Sequence, residues 1–128
     1  GLAFKRLSIV DLSSTGHQPM RDGDDLTMVY NGEVYNADEL RDALRRKGHH
    51  FRGSSDTEVI LKLYREEGEA AFSKLNGMFA IAIWDGTRGM LVLARDRLGI
   101  KPLYYAQAGE ALVFGSEIKA LLCHPQLR

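Results

Sequence analysis

The sequence predicts an α+β fold, a four-layer αββα sandwich in which two antiparallel sheets lie face to face between outer helices. Two strand pairs support this prediction, the first over 78–84 and 90–94 and the second over 103–106 and 111–114. The first pair is apolar on both faces, which is typical of strands that are buried on both sides. A second sheet can cover one such face, and outer helices can cover the other.

The N-terminal half predicts two strands and a helix in order. Residues 4–11 (FKRLSIVD) and 26–29 have the composition of strands. A tight turn over 30–36 (YNGEVYN) then leads into a helix over 37–47, with Asn36 and Glu39 at capping-box spacing. The Asn-Gly pair alone would favour a two-residue β-hairpin. The start of the helix leaves little room for a return strand, so we favour strand, turn and helix.

Capping residues mark further helices downstream. Ser55 and Glu58 have capping-box spacing, and the helix that they begin ends at Gly68 after a buried stripe of Val59, Ile60, Leu63 and Tyr64. A short helix is expected over 69–75. Ser116 is expected to cap a last helix, which carries on its inner side Ile118, Leu121 and Leu122.

Composition and charge exclude several classes of protein. Lys plus Arg and Asp plus Glu both number 17, so the net charge is zero, which argues against a general nucleic-acid or membrane-surface binder. No apolar run approaches the roughly 20 residues of a membrane span, and no signal peptide is recognised. The single cysteine, Cys123, excludes an internal disulfide and fits a reducing, cytoplasmic compartment. No metal site is expected.

Several polar residues, at the predicted turn and elsewhere, could take part in binding or catalysis. The Asn31 amide and the Gly32 N–H can stabilise an oxyanion, and the Glu33 carboxylate can hold an ammonium group. Arg6 could clamp a carboxylate through its planar guanidinium, although a lone arginine on a strand is usually exposed and idle. Asp56 could be a second ammonium ligand, or simply an acid that stabilises its helix dipole.

The charged segment 94–105 (ARDRLGIKPLYY) lies between the two strand pairs. Gly99 and Pro102 break it, and we expect a loop that Asp96 holds through nearby arginines. A contact with a nucleotide phosphate is the alternative, but no glycine-rich phosphate loop accompanies the segment.

Seven motifs occur together in an order that is typical of one family. They are RLSIVDLS (6–13), GHQPM (16–20), NGEVYN (31–36), SDTEVIL (55–61), LNGMFAIAIWD (75–85), ARDRLGIKPLYY (94–105) and SEIKALL (116–122). Together they closely resemble the glutaminase domain of glutamine-hydrolysing asparagine synthetases and their relatives. These are class II glutamine amidotransferases with the N-terminal-nucleophile hydrolase fold, and the resemblance spans essentially all of residues 1–128.

The resemblance implies a role for each residue of a glutamine site. Arg6 would hold the α-carboxylate, and the pocket would be lined by the backbone of Leu7, Ser8, Ile9 and Val10. Asn31 and Gly32, as the catalytic pair, would form the oxyanion hole. Glu33 and Asp56 would hold the α-ammonium group.

The chain also departs from the family pattern. The family nucleophile is a cysteine at the mature N-terminus whose own α-amino group is the general base, and here the sequence begins at Gly1. Cys123 has no free α-amine and cannot replace it. We therefore expect a partial glutaminase domain, incomplete at the N-terminus and inactive by itself.

The resemblance also implies partners and cofactors. An ATP-dependent synthetase domain, with ATP and Mg²⁺, would follow Arg128 and transfer ammonia to aspartate, while these residues themselves would need no cofactor. Another amide acceptor is one alternative, and a non-catalytic glutamine-binding or interaction module is a second. An exposed sheet edge where the N-terminal strand is missing would favour homodimers by strand exchange.

Overall fold

The computed structural model describes residues 1–2 and 16–127, so the strand predicted over 4–11 lies outside the described residues. The four-stranded antiparallel sheet has the order β1 (Met20–Asp22), β2 (Leu26–Val34), β3 (Gly77–Asp85) and β4 (Met90–Arg95). The two-stranded sheet consists of β5 (Tyr104–Ala108) and β6 (Ala111–Gly115). The α-helices described are α1 (Ala37–Arg46), α2 (Asp56–Glu67) and α3 (Ile118–Leu121), and 3-10 helices cover Gly68–Lys74 and Pro125–Leu127.

The four-stranded sheet has helices on one face and the second sheet on the other. On the helix side, Met28 and Ile83 belong to the same buried cluster as Ile60 of α2. On the opposite face, a groove of about 720 Å³ separates the two sheets, lined among others by Trp84 and Phe114.

The last helix covers the far side of the second sheet. Leu112 and Phe114 of β6 line the groove, so alternation along the strand places Gly115 on the other face. There the buried Leu121 of α3 packs close to Gly115. The layers therefore run helices, sheet, sheet and helix, and the predicted αββα sandwich is confirmed.

The strand, turn and helix follow one another as predicted, but the predicted end of the strand is wrong. β2 continues through Asn31 and Gly32 to Val34, and every one of its residues pairs with β3. Neither a tight turn nor a hairpin forms at Asn31-Gly32, and the turn lies at Tyr35-Asn36. Pairing with β3 runs along the whole length of β2 and bonds every second residue, including Asn31 and Glu33. This pairing outweighs the local preference of Asn-Gly for a turn.

Asn36 precedes α1 as predicted, but its side chain does not cap the helix. Its Nδ2 donates to the Lys74 carbonyl at 2.9 Å, and its Oδ1 accepts from the Asn76 N–H at 2.9 Å. The side chain therefore ties the start of α1 to the segment that leads into β3. Ser55 does cap α2, because its Oγ accepts from the Glu58 N–H at 3.3 Å.

The predicted burial of β4 and of two residues of the last helix is wrong, and so is the predicted N-cap of that helix. β4 is partly exposed along its whole length, because it is the outer strand of the described sheet. The helix α3 has Glu117 rather than Ser116 at its N-cap, without a side-chain cap. Ile118 and Leu122 are 55% and 50% exposed. A helix of one turn can direct only a single residue, Leu121, into the core.

The loop after β4 is organised by Asp96, but through backbone groups rather than through arginines. Its Oδ1 accepts from the Ile100 N–H at 2.9 Å, and its Oδ2 accepts from the N–H groups of Lys101 at 3.0 Å and Phe79 at 3.1 Å. Burial alone would raise the pKa of Asp96, but these donors outweigh it and lower the pKa to about 2. Arg95 instead donates to carbonyl groups of the loop.

Acid should weaken the fold through Asp96. Its folded-state pKa is about 2, below the ordinary value of 3.8. Its contribution to stability is therefore complete above about pH 4 and is lost as the pH falls towards 2. We expect Asp96→Asn to melt at a lower temperature than wild type at about pH 6, and this deficit to shrink at about pH 2, as measured by circular dichroism.

The control for this measurement is Asp24→Asn, at an exposed position of the turn between β1 and β2. It should change the melting temperature little at either pH. An Asp96→Asn deficit of the same size at both pH values would contradict the assignment.

Candidate functional site

Three of the predicted site residues, Asn31, Gly32 and Glu33, lie on β2 beyond the end of β1. Within the described residues, β1 pairs with β2 only as far as Met28. The remaining part of β2, residues 29–34, therefore has an edge that no described strand covers. Backbone groups on such an edge are available to side chains or to a ligand.

The hydrogen-bond pattern decides which backbone groups face this open edge. At one end of β2 the Asp25 carbonyl accepts from Gly86, and beyond the other end Tyr35 donates to the Asn76 carbonyl, both at 2.7 Å. Odd-numbered residues of β2 therefore bond to β3, because the register is unbroken and the pattern alternates. The N–H groups that face the open edge are those of Tyr30, Gly32 and Val34.

Side chains occupy the outer two of these three N–H groups. The Gln18 Oε1 accepts from the Tyr30 N–H at 2.5 Å, and the Asp56 Oδ2 accepts from the Val34 N–H at 3.1 Å. For the Gly32 N–H between them, the described part of the chain offers no acceptor. N–H groups on the same edge of a strand are about 6–7 Å apart. A ligand atom at the Gly32 N–H would therefore lie between the Gln18 amide and the Asp56 carboxylate.

Gly32 is required by the close approach of β2 and β3. Its φ is +152°, and a Cβ at this position would lie 2.1 Å from the Met78 carbonyl oxygen. A Cβ on Gly77 would likewise lie 2.1 Å from the Glu33 carbonyl oxygen. No residue with a side chain fits either position without moving a strand.

Asp56 is brought to the same edge from a distant part of the sequence. It is the first residue of α2, where an acid stabilises the helix dipole as the sequence predicted. Its side chain nevertheless bonds to β2, since Oδ2 accepts from the Tyr30 hydroxyl at 2.6 Å and from the Val34 N–H at 3.1 Å. The other oxygen, Oδ1, has no hydrogen-bond partner among the described residues.

Tyr30 has a raised pKa. Burial is the main cause that raises the pKa of Tyr30, followed by the negative charges of Asp56 and Glu33. The phenol therefore stays protonated and donates to Asp56.

Asn31 presents its amide on the opposite face of the sheet from Tyr30. Alternation along β2 directs the Tyr30 ring towards the helices and the Asn31 side chain towards the second sheet. Asn31 is half-buried opposite Ala80 of β3, and its amide has no partner within the described residues. The Gly32 N–H lies at the edge between the Asn31 amide on one face and Asp56 on the other.

Two buried charged side chains hold the loop that precedes Asp56. Arg41 of α1 donates to the carbonyls of Gly53 at 2.9 Å and Ser55 at 3.0 Å. Glu58 of α2 accepts from the N–H groups of Arg52 at 2.8 Å and Gly53 at 2.9 Å. These bonds fix the start of α2 and therefore the position of Asp56.

The remaining predicted site residues are Arg6, Leu7, Ser8, Ile9 and Val10, all of which lie outside the described residues. Sequence analysis missed Gln18 and Tyr30, although both occur in motifs that it singled out. Tyr30 lies two residues from Met28 on the same face of β2, so the sequence pattern indicates only that Tyr30 is a core residue. Its bond to Asp56, 26 residues away, is visible only in the fold.

Cys123 is remote from this edge. It is exposed just beyond α3, on the far side of the second sheet, and its Sγ donates to the Lys119 carbonyl at 3.4 Å. In the part of the chain that is described, no three His, Cys, Asp or Glu side chains are grouped to hold a metal ion. The helices of the same part are all too short or too polar to cross a bilayer.

Along its whole length the chain is similar to known proteins. The family model described as "Glutamine amidotransferase domain" matches residues 1–128. Glutamine-hydrolyzing asparagine synthetase 3 of Bacillus subtilis is 50% identical over 127 residues, which is 97% of this chain and 20% of that protein. Amidase chyE of Penicillium rubens is 44% identical over 123 residues, which is 95% of this chain and 18% of that protein.

A solved structure supports the same relationship. Glutamine phosphoribosylpyrophosphate (PRPP) amidotransferase from B. subtilis aligns with a TM-score of 0.69 and 30% identity, covering 81% of this chain and 25% of that chain. The predicted fold class is thereby confirmed. The chain spans about a fifth of the length of these curated relatives.

The fit at Gly32 predicts the effect of a single added methyl group. Gly32→Ala should lower the free energy of unfolding by more than about 4 kcal/mol, because its Cβ would overlap backbone atoms of β3. Gly48→Ala is the matched control, since Gly48 also has a positive φ, +94°, but nothing lies within 4 Å of a Cβ there. It should cost only the strain of about 1–3 kcal/mol. If urea unfolding gave the same loss of unfolding free energy for Gly32→Ala and Gly48→Ala, the close approach of β2 and β3 at Gly32 would be contradicted.

Proposed function

Since this chain belongs to the glutamine amidotransferase domain family, we propose that it is the glutamine-hydrolysing part of a larger amidotransferase. The proposed reaction releases ammonia from the side-chain amide of glutamine. The observation that carries the proposal is the Gly32 N–H, which no described residue accepts from, between the Asn31 amide and the Asp56 carboxylate. A hydrogen-bond donor, a second amide donor and an acid at one strand edge suit an amino acid that carries an amide.

The substrate would be held through both of its charged ends. Asp56, through the free Oδ1, and Glu33 would bind the α-ammonium group by charge-assisted hydrogen bonds. Arg6 would bind the α-carboxylate in a bidentate manner, with the pocket lined by the backbone of Leu7, Ser8, Ile9 and Val10. The bond between the Tyr30 hydroxyl and Asp56 at the edge of β2 supports the ammonium site, and the roles of Glu33 and of the carboxylate site rest on the family pattern.

The chemistry would be acyl transfer through a thioester. A cysteine thiolate outside this sequence would attack the glutamine side-chain carbonyl, and the Asn31 amide and Gly32 N–H would stabilise the tetrahedral oxyanion. Each such donor contributes about 3 kcal/mol in comparable sites. Collapse of the intermediate would release ammonia, and water would hydrolyse the thioester to glutamate. Cys123 does not take part, so these residues alone should not turn over glutamine.

We propose aspartate as the acceptor of the ammonia. The proposal is supported by 50% identity to an asparagine synthetase. ATP and Mg²⁺ would activate aspartate in a synthetase domain of the same cytoplasmic protein. A different acceptor is the second candidate, because the chain is nearly as similar to a relative named an amidase.

The oxyanion hole predicts a loss of kcat when Asn31 is changed. In the full-length protein, Asn31→Ala should lower kcat for ammonia release from glutamine about 10²–10³-fold with little change in KM. Asn76→Ala is the matched control, because Asn76-Gly77 is a second Asn-Gly pair that begins β3 away from the open edge. The rates can be followed by a coupled glutamate dehydrogenase assay.

Three results would oppose the proposal in different ways. Wild-type protein that binds glutamine but releases no ammonia would favour a non-catalytic binding module. An unchanged kcat in Asn31→Ala would remove Asn31 from the oxyanion hole. Ammonia release without asparagine formation from aspartate, ATP and Mg²⁺ would favour another acceptor.

A further inference from the structure

Tyr30 makes a buried hydrogen bond that its packing does not require. The residue is 4% exposed and belongs to the core cluster on the helix side of β2. A phenylalanine ring would fill the same space. Among the described residues the Tyr30 hydroxyl has one partner, the Asp56 Oδ2 at 2.6 Å, and this bond accounts for a polar group in an otherwise apolar cluster.

We propose that Tyr30 is a positioning residue for glutamine, which holds Asp56 so that Oδ1 remains free to bind the α-ammonium group. This inference rests on the proposed function, because it assigns the ammonium group to Asp56. It adds a residue that never contacts the substrate and acts only through the carboxylate.

The two oxygens of Asp56 differ in their hydrogen bonds, and this difference supports the proposed role of Tyr30. Both protein donors, the Tyr30 hydroxyl and the Val34 N–H, converge on Oδ2. No donor within the described residues reaches Oδ1. One oxygen is therefore used to fix the side chain to β2, and the full remaining acceptor capacity of the other is open to a cationic ligand.

The position of Asp56 in α2 explains why it needs to be fixed. Asp56 follows the N-cap Ser55, in the first turn of the helix, where backbone N–H groups lack helical partners. A short carboxylate there can rotate back and accept from its own helix. The Tyr30 hydroxyl and the Val34 N–H hold it towards the strand instead.

The raised pKa of Tyr30 keeps its hydroxyl a hydrogen-bond donor to Asp56. Burial and the carboxylates of Asp56 and Glu33 raise the pKa of Tyr30, so the hydroxyl remains a donor throughout the pH range in which an amino acid keeps its α-ammonium group. The Tyr30 hydroxyl therefore donates to Oδ2 over the whole of that range.

The test is Tyr30→Phe in the full-length protein, assayed for ammonia release. We expect KM for glutamine to rise about 5- to 20-fold, while kcat changes less than about twofold. This split follows because the ammonium contact is present equally in the bound substrate and in the transition state.

Tyr64→Phe is the matched control. Tyr64 is 3% exposed and donates its hydroxyl to the Asp85 Oδ2 at 3.1 Å. It belongs to the same core cluster, but the described partners of its hydroxyl are Asp85 and Arg88, neither of which is a proposed site residue. Its loss should lower the melting temperature about as much as Tyr30→Phe does and should leave KM for glutamine unchanged.

A substrate without the α-amino group separates positioning from general damage. With 4-carbamoylbutanoate, the des-amino form of glutamine, Tyr30→Phe and wild type should have the same kcat/KM. Because KM does not depend on the fraction of enzyme that is active, partial unfolding would not imitate a KM effect confined to glutamine. Asp56→Asn should raise KM for glutamine. In the double variant with Tyr30→Phe, KM for glutamine should be close to that of Asp56→Asn alone.

The outcomes distinguish this inference from the proposed function. An unchanged glutamine KM in Tyr30→Phe, together with a raised KM in Asp56→Asn, would overturn only the role of Tyr30. An equal loss of kcat/KM in Tyr30→Phe with glutamine and with 4-carbamoylbutanoate would also overturn the role of Tyr30, because the effect of the substitution would then be structural. An unchanged KM in Asp56→Asn would remove the ammonium site itself, and wild-type protein without ammonia release would overturn both proposals.

Discussion

The antiparallel pairing of β2 with β3 is the constraint on which the rest of the structure depends. The unbroken register from Leu26 to Val34 directs every second N–H of β2 away from β3. The same pairing requires Gly32, because carbonyl oxygens of β3 lie where a Cβ would be. A single interaction therefore supplies both the core of the sheet and the exposed donor of the candidate site.

The site combines this rigid strand with a helix that is anchored by side chains. Arg41 and Glu58 fix the loop before α2, and Asp56 joins the helix to the strand. Burying a charged side chain is costly unless it is fully paired, and both Arg41 and Glu58 meet backbone groups. The molecule uses these buried charges to position a carboxylate that would be mobile on a loop alone.

Sequence analysis identified the elements better than their ends. The strand at 78–84 and the Ser55 cap follow from local composition, and both are confirmed, although the strand is buried only over 79–83 and Trp84 is exposed. The end of β2, the side-chain bonds of Asn36 and the exposure of Ile118 were predicted wrongly, because each depends on what lies opposite in space. An Asn-Gly pair has the same turn preference wherever it occurs, but here a partner strand offers it a better set of hydrogen bonds.

The sequence by itself determined the αββα architecture, the family and the residue types of the candidate site, because hydrophobic alternation and ordered motifs are properties of the chain. Only the tertiary structure decided that the Gly32 N–H faces an open edge, that Asp56 reaches this edge from a separate helix, and that Tyr30 and Gln18 flank it. Hydrogen-bond direction depends on strand register, and the meeting of residues 30 and 56 depends on packing. Neither property is encoded in local spacing.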